Sequence, residues 1–495
     1  MHSALLIDEV LEVILEHCSD WQPEDYRWTL CQVARSCKAW KDPALDRLWK
    51  RLAKVDPLLL LLNEQGDGGK PILPHLVSAN LHHDGCLIPS HWIDATALQS
   101  LDVDVRASSS SPASLARGTN IANLLSHSSI VKLRVRGWMT QALNNTINTL
   151  GSSLQSLILH TGKSLTAQTL AAISLFPRME ELNLHASHIE GDSFLESVDS
   201  LLAQYNATIL PSFPTLHTLR IRGTRSLFCA ILTCLPSGTL RSLYLETEDP
   251  EQGVATWKPT FDLLVSKTSD SLIEFTLDQI LEPEEMDAIL SLNTERASDA
   301  DTHIASALDT LRPLRGLKAL KKFTVDGMIL PEFTDKDLEE LAKWWPNLEH
   351  LDLGTLPGVL EHGGAEAEKW KPKVTVKALE VLAKCCPDLR SLTLPLDICE
   401  NSSELSKTCH NQNNDAVIQQ RTLTRLLVGY KAVSEDKDSE VIPAFVRTAL
   451  RLFPEIQEIE CTSLDRSVSV DVALEVSLKE HGLRVGTLDG FANGR

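Results

Sequence analysis

The feature that most constrains this chain is a short apolar pattern that recurs along most of its 495 residues. In each copy, an apolar residue is followed three positions later by a second one and two positions after that by a third. The copies begin at Leu98, Ile130, Leu154, Met179, Leu216, Leu240, Leu272, Leu320, Leu348, Leu389, Leu423 and Ile456. Such recurrence is typical of repeat proteins, in which chain length is a poor guide to the number of separate domains.

A proline at a fixed offset distinguishes this pattern from chance. A chain of ordinary composition contains on the order of ten apolar triples of this kind by chance alone. In five of the copies, however, an apolar residue and then a proline precede the triple, with the proline two positions before it. These prolines are Pro177, Pro214, Pro346, Pro387 and Pro454. Chance is a poor explanation for five prolines at one offset.

Four of these prolines follow a stretch with helical periodicity. Leu338, Leu341 and Trp345 share one helical face before Pro346, and Thr334, which two aspartates follow, is a typical helix start. Proline ends a helix because it lacks an N–H and disfavours helical geometry in the residue before it. The other three faces are Leu170, Ile173 and Phe176; Leu379, Leu382 and Cys386; and Phe445, Ala449 and Leu452. Each unit is therefore predicted to run helix, proline, strand.

A single unit of this kind cannot bury its own leucine face. Stacked units bury it continuously, which stabilises the fold by roughly 1.5–3 kcal/mol per Leu-sized side chain. The sequence therefore predicts an α/β solenoid, with strands on the concave side and helices on the convex side.

Two segments, 338–353 and 378–394, closely resemble the cysteine-containing class of leucine-rich repeats. The resemblance implies a ribonuclease-inhibitor-like leucine-rich-repeat array. Spacings of 24 or 25 residues between several triples fit the expected 20–29. The longer steps, 48 residues from Leu272 and 41 from Leu348, indicate insertions or a hidden degenerate repeat. We therefore expect an irregular array that carries polar insertions, among them 282–310, 361–372, 399–414 and the charged loop 431–440.

The first 55 residues do not follow the repeat. Their apolar positions predict three amphipathic helices, with a polar loop around Trp21 to Thr29 and a break at Pro43. The apolar positions are Ile7, Val10, Leu11, Ile14 and Leu15; then Leu30, Val33, Ala34, Cys37 and Trp40; and finally Leu45, Leu48, Trp49 and Leu52.

Segments 6–15, 30–40 and 48–49 resemble the F-box family. That family runs Leu-Pro-x-Glu-Val/Ile-Leu-x-x-Ile, then Val-Cys-x-x-Trp, then Leu-Trp. This chain departs from the pattern in having Ile7 in place of proline and a longer first loop. The expected organisation is a small all-α F-box-like module over 1–55, a linker or cap over 56–90, and a leucine-rich-repeat solenoid with insertions over 91–495.

The resemblance implies a non-catalytic substrate receptor of an SCF-type cullin–RING ubiquitin ligase. The F-box would bind the Skp-type adaptor and the repeat array would bind a protein substrate, so that no cofactor is required and the chain acts by positioning. The expected adaptor-binding residues are Leu6, Val10, Leu11, Ile14, Val33, Cys37, Trp40, Leu48 and Trp49. The alternative for each is that it fills the core of its own module. The alternative for the whole chain is a leucine-rich-repeat scaffold whose N-terminal helices only cap the solenoid.

Alternation along each predicted strand places the residues between the apolar positions on the concave face. Basic residues occupy these positions in two groups: Lys132, Arg134 and Arg136, and then Arg220 and Arg222. We expect this patch to bind a substrate segment that is anionic, for example phosphorylated, through arginine pairing. The alternative is that exposed strand positions are charged only for solubility.

Composition excludes several classes of function. Lys and Arg total 47 and Asp and Glu total 67, so the net charge is −20, which disfavours nucleic-acid and anionic-membrane partners. Odd-numbered, scattered cysteines and the absence of an apolar N-terminal leader favour a cytoplasmic or nuclear location. The enzymatic candidates are weak: the glycine-rich 66–71 lacks phosphate-loop spacing, and His185-x-x-His188 lacks the helical frame of a zinc site. We expect no catalytic or metal-binding residues.

Overall fold

A computed structural model describes residues 13–15, 17–18, 21–36, 38–52, 73–81, 93, 96–105, 112–204, 212–247, 257–279, 307–326, 333–355, 371–398, 419–431 and 435–463. Most of the predicted insertions lie outside these ranges, as do Leu6, Val10, Leu11 and Cys37. The chain forms two compact units. Unit 1 contains residues 1–189 and 193–216, and unit 2 contains 190–192 and 217–495.

Within its described residues, unit 1 contains six parallel strands, each paired with the next along the chain. The strands are β1 (Arg51–Leu52), β2 (Ser78–Leu81), β3 (Ser100–Val105), β4 (Lys132–Gly137), β5 (Ser156–His160) and β6 (Glu181–His185). Its helices are α1 (Pro23–Ser36), α2 (Lys38–Leu48), α3 (Pro112–Ser126), α4 (Gln141–Ile147), α5 (Ala167–Ser174) and, from Ser193 onward, α6 (Gly191–Gln204).

In the part of unit 2 that the structure describes, eight strands also pair in parallel and in chain order. They are β7 (Thr218–Gly223), β8 (Ser242–Thr247), β9 (Glu274–Gln279), β10 (Lys322–Asp326), β11 (His350–Asp352), β12 (Ser391–Pro395), β13 (Arg425–Tyr430) and β14 (Glu458–Ser463). The helices between them are α7 (Arg225–Cys234), α8 (Lys258–Thr268), α9 (Ala307–Leu311), α10 (Asp335–Trp344), α11 (Lys377–Cys385) and α12 (Glu435–Leu452).

Helices and parallel strands thus alternate in an α/β solenoid-like arrangement within each unit. All twelve predicted triples coincide with strands β3 to β14, and the first apolar residue of every triple is buried. None of the helices in the described ranges is long and apolar enough to cross a lipid bilayer.

The core lies between the helices and one face of each row of strands. Leu133 and Val135 of β4 are buried, whereas the side chains between them reach the surface. In unit 2 the Phe261 ring of α8 packs edge-on against Phe275 of β9, at 6.1 Å between centroids. Phe275 in turn stacks on Phe323 of β10, at 6.0 Å. Helix and strand side chains therefore share one apolar layer.

The helix boundaries follow the predicted signals. Thr334 caps α10 with its hydroxyl, and the Asp337 carboxylate accepts a 2.8 Å hydrogen bond from the Thr334 N–H in return. At the other end, Trp345 has a non-helical backbone with φ of −131° and ψ of 73°. Cys386 takes the same conformation after α11. Both residues precede a proline, which disfavours helical geometry in the residue before it.

Two predictions about the N-terminal helices are wrong. Pro43 lies inside α2 and does not interrupt it, because burial of Ala44 and packing of Leu48 offset the hydrogen bond that proline removes. The predicted loop over Trp21 to Thr29 is mostly helical, since α1 begins at Pro23, and proline suits a first helical position.

Three further predictions are corrected by the strands and by α12. Leu52 belongs to β1 and not to a third helix, because the Lys50 carbonyl accepts hydrogen bonds from the backbone of Val77 and Ser78. Strand β2 lies within the stretch predicted as a linker or cap. Helix α12 begins at Glu435, inside the predicted charged loop, since acidic residues are favourable at a helix N-terminus.

The long spacings of the repeat arise from insertions. β9 pairs directly with β10, and β11 pairs directly with β12. No additional strand therefore separates the members of either pair, and the alternative of a hidden degenerate repeat is excluded at both places.

Candidate protein-interaction surfaces

The N-terminal helices have a small core of their own. Leu15, Leu30 and Ala44 are buried together, and Tyr26, Val33, Ala34 and Leu48 pack around them. The helices α1 and α2 lie against each other along their length. This core fixes which side chains of the module remain available to a partner.

Large apolar side chains remain on the outside of this module. Val13 is 58% exposed, Trp21 50% and Trp28 66%, and Ile14 is also exposed. Large apolar side chains that reach solvent in a group indicate an interaction surface. We call these four residues, Val13, Ile14, Trp21 and Trp28, the module surface.

The structure separates the predicted adaptor-binding residues into three groups. Ile14 belongs to the module surface. Val33 and Leu48 pack against the module core, which agrees with the alternative assignment, and Trp40 and Trp49 are half-buried. Leu6, Val10, Leu11 and Cys37 lie outside the described residues. Val13, Trp21 and Trp28 were not predicted. Val13 and Trp28 are apolar residues on exposed helix positions, which was a visible signal, whereas Trp21 precedes α1.

A second surface is formed by the strands of unit 1. The side chains of Lys132, Arg134 and Arg136 alternate with buried apolar residues along β4, as predicted. In register, Arg134 lies beside Ile158 of β5, and Arg136 lies beside His160. The next strand contributes His185, whose ring stacks on His160 with the centroids 4.2 Å apart. We call Lys132, Arg134, Arg136, His160 and His185 the unit 1 strand face.

Two aspartates of β3 lie beside the arginines of this face: in register, Asp102 is next to Arg134 and Asp104 is next to Arg136. Arg134 Nη1 lies 3.8 Å from Asp102 Oδ2 of β3, which is beyond hydrogen-bond length. Within the described residues, Arg136 forms no ion pair. The Nε atoms of both arginines are shielded from solvent and donate no hydrogen bond there.

The two basic residues predicted on β7 have a different environment in unit 2. Arg222 Nη1 lies 3.0 Å from Glu246 Oε1 on β8, and Arg220 Nη2 lies 3.9 Å from Glu246 Oε2. The Arg220 guanidinium also lies over the Tyr244 ring, 4.0 Å from its centroid. The Tyr244 hydroxyl donates a 2.7 Å hydrogen bond to Asp278 Oδ2 on β9. We call these five residues, Arg220, Arg222, Tyr244, Glu246 and Asp278, the unit 2 network.

The unit 2 network neutralises its own charge. Glu246 is almost fully buried and faces both arginines, so each guanidinium is already near a carboxylate. Burial and the hydrogen bond to Asp278 raise the pKa of the Tyr244 hydroxyl well above its ordinary value. Tyr244 therefore remains a neutral hydrogen-bond donor at physiological pH.

The predicted basic patch is thus divided between two units with unlike surroundings. Lys132, Arg134 and Arg136 lie on one strand of unit 1, and Arg220 and Arg222 lie on one strand of unit 2. Sequence analysis missed His160, His185 and Tyr244 as members of these surfaces. An alignment of the apolar triples would have revealed them, because parallel strands in register bring equivalent positions side by side.

The weak metal motif separates into independent contacts. His185 stacks on His160, whereas His188 Nε2 lies 2.6 Å from the Leu165 carbonyl oxygen. Across the described ranges, no three His, Cys, Asp or Glu side chains converge as they do around a metal ion.

Compared with known proteins, the chain matches no protein-family model and no curated protein.

Proposed function

We propose that this protein is a non-catalytic substrate receptor of an SCF-type cullin–RING ubiquitin ligase. In this proposal the N-terminal helices act as an F-box that binds a Skp-type adaptor. The rest of the chain acts as a leucine-rich-repeat array that binds a protein substrate with the strand side of its units. The chain itself performs no chemistry; it raises the concentration of substrate near a ubiquitin-loaded enzyme.

The observation that carries the proposal is the module surface. Val13, Trp21 and Trp28 expose large apolar side chains on the module whose core is Leu15, Leu30 and Ala44. A helical partner that packs against exposed apolar and aromatic residues removes their surface from water, which is worth about 25 cal/mol per Å² of buried apolar area. The resemblance of segments 6–15 and 30–40 to the F-box pattern gives the partner its proposed identity.

The test is co-elution of the full chain with a Skp-type adaptor in size-exclusion chromatography. The module variant combines Val13→Asp with Trp28→Ala, because both residues are exposed and the module core is left intact. Leu115→Asp is the matched control, since Leu115 of α3 is a similarly exposed apolar residue of unit 1. We expect one-to-one co-elution of the wild type and of the control, and its loss in the module variant. A folded wild-type chain that does not co-elute would contradict the proposal.

One observation favours a second candidate, an interaction scaffold without a ligase role. β1 follows the module helices directly and pairs with β2, and Val33 and Leu48 pack inward. Both features suit helices that cap the end of a sheet. The same experiment separates the candidates, because a cap has no affinity for the adaptor.

A further inference from the structure

We propose that the unit 1 strand face binds an extended acidic segment, whose acidic groups at alternate positions pair with Arg134 and Arg136. The anionic ligand is assigned to unit 1 alone, and the unit 2 network is excluded from the assignment. The inference rests on the proposed function only in taking the acidic segment to be part of a substrate.

The spacing of the two arginines suits an extended chain. Arg134 and Arg136 are alternate residues of β4 and therefore project from the same face, separated by two residues of strand rise, roughly 6.6 Å. Alternate side chains of an extended peptide have the same separation. Two acidic side chains at positions i and i+2 of a bound segment can thus meet both guanidinium groups without a change in backbone geometry.

The guanidinium groups of Arg134 and Arg136 have hydrogen-bond donors that are not used within the described residues. The Nε atoms of Arg134 and Arg136 are shielded from water and have no acceptor among the described residues. The Arg134 side chain is 35% exposed overall, so an arriving carboxylate or phosphate meets its terminal guanidinium nitrogens and forms charge-assisted hydrogen bonds with them. The planar fork of arginine matches both acids, because each presents a pair of acceptor oxygens to it.

The surroundings of the arginines suit a peptide better than a free ion. Ile158 lies beside Arg134, and the stacked rings of His160 and His185 lie beside Arg136. These groups provide apolar and aromatic surface on β5 and β6 beside a segment that runs along β4. Lys132, which is exposed at the start of β4, adds a third positive charge.

The unit 2 network provides an internal comparison. Arg220 and Arg222 have the same i, i+2 spacing on β7, but Glu246 already faces both of them and Tyr244 lies against Arg220. An external acid would have to compete with a buried carboxylate that is part of the fold. Asp102 and Asp104 also lie beside the two arginines of unit 1. However, the contact of Arg134 with Asp102 is 3.8 Å long, and among the residues that the structure describes Arg136 forms no ion pair with Asp104. The same pair of residue types is therefore expected to bind anions in unit 1 and not in unit 2.

The experiment is a selection from a display library of random 12-residue peptides on three forms of the full chain. These are the wild type, Arg134→Gln with Arg136→Gln, and the matched control Arg220→Gln with Arg222→Gln. We expect Asp and Glu to be enriched at alternate positions for the wild type and the control, and not for the unit 1 variant. A fourth variant, Arg134→Lys with Arg136→Lys, keeps both positive charges. It disturbs the fold least and tests whether the arginine fork itself is needed for binding.

The most enriched peptide is then measured by fluorescence anisotropy. The Kd should rise at least tenfold for Arg134→Gln with Arg136→Gln, several-fold for the lysine variant, and less than twofold for the unit 2 control. Peptides with the acids replaced by glutamine or by phosphoserine identify the source of the charge: glutamine should abolish binding, and tighter binding of phosphoserine assigns the site to phosphorylated segments. Selection without acidic enrichment, or an equal loss in both glutamine variants, would overturn the inference.

Adaptor co-elution distinguishes failure of this inference from failure of the proposed function. Arg134→Gln with Arg136→Gln leaves the module surface untouched and should still co-elute with the adaptor. Acidic peptide binding without adaptor binding would remove the ligase role and leave the acidic-segment site in place. Adaptor binding without acidic peptide binding would leave the ligase role in place and remove the acidic-segment site.

Discussion

Cys386 directs its sulfur toward the carbonyl oxygen of Trp345, at a distance of 3.9 Å. The two residues occupy the same position, directly before a proline, in consecutive helix–strand units. Both side chains are fully buried, so a cysteine in one unit fills the place that a tryptophan fills in the other. The adjacent Cys385 is only half-buried.

This difference predicts unequal reactivity of the two neighbouring thiols. Burial raises the pKa of the Cys386 thiol to about 12, so very little of the reactive thiolate exists at pH 8.5. Iodoacetamide should label Cys385 at least about a hundredfold faster than Cys386 in the folded protein. Fragment masses of the tryptic peptide that contains both residues distinguish the two positions. In urea the rates should converge, and equal rates in the native state would show that the Cys386 site opens readily.

A buried glutamine is predicted to hold two neighbouring strand units together. Gln420 Nε2 donates a 2.7 Å hydrogen bond to the Leu389 carbonyl oxygen, and its Oε1 accepts one of 2.9 Å from the Leu423 N–H. Gln420→Ala removes these partners inside the protein and should lower the free energy of unfolding by about 1–3 kcal/mol. Urea denaturation measures this free energy of unfolding, and Gln419→Ala, at the exposed residue before Gln420, is the control. Equal effects of the two substitutions would refute the assignment.

The strands were predictable because one physical requirement recurs. Each unit must bury its apolar residues against the units beside it, so twelve triples predicted twelve strands. Strand β2 was missed although Leu76, Ala79 and Leu81 have the same spacing. Its middle position is alanine, which is 2% exposed but too small to mark a strand on its own.

The surfaces were less predictable because they depend on pairing between units. Alternation placed Arg134 and Arg222 correctly on the strand face opposite the buried residues, where both are half-buried. Only the register of β7 with β8 shows that Glu246 neutralises Arg222. In unit 1 the register likewise places Asp104 beside Arg136, but these two described side chains form no ion pair with each other. For the module, helical periodicity could not separate Val33, which packs inward, from Ile14, which does not, because both occupy apolar positions.

The ion pair between Arg222 and Glu246 is predicted to be energetically coupled. Glu246 is 6% exposed, so removal of Arg222 leaves a nearly buried carboxylate without its closest counterion. A double-mutant cycle of Arg222→Gln and Glu246→Gln, read by urea denaturation, should give a coupling energy of about 1–3 kcal/mol. The exposed pair Glu339 and Lys343 is the control, and its coupling should be too small to measure. Additive effects at Arg222 and Glu246 would contradict the prediction.

Tyr244 is predicted to make stability sensitive to alkaline pH. The pKa of its hydroxyl is raised in the folded protein, whereas an unfolded tyrosine ionises near pH 10. Above that pH the unfolded state loses a proton that the folded state keeps, so this contribution to stability is complete below pH 10 and declines as the pH rises further. The Tm difference between wild type and Tyr244→Phe should therefore narrow from pH 9 to pH 11. A constant difference would show that the Tyr244 hydroxyl titrates normally.

Two residues of α1 are predicted to have different roles: Leu30 stabilises the module, whereas Trp28 is available to bind a partner. Leu30 of α1 is 1% exposed in the module core, and Leu30→Ala should cost about 2–5 kcal/mol of local stability. Trp28, two residues earlier, is mostly exposed, and Trp28→Ala should change stability little. Hydrogen exchange over residues 21–48 measures this, since loss of the core should raise exchange rates throughout the module. If Trp28→Ala accelerated exchange as much as Leu30→Ala, Trp28 would be a structural residue and the module surface would lose its most exposed member.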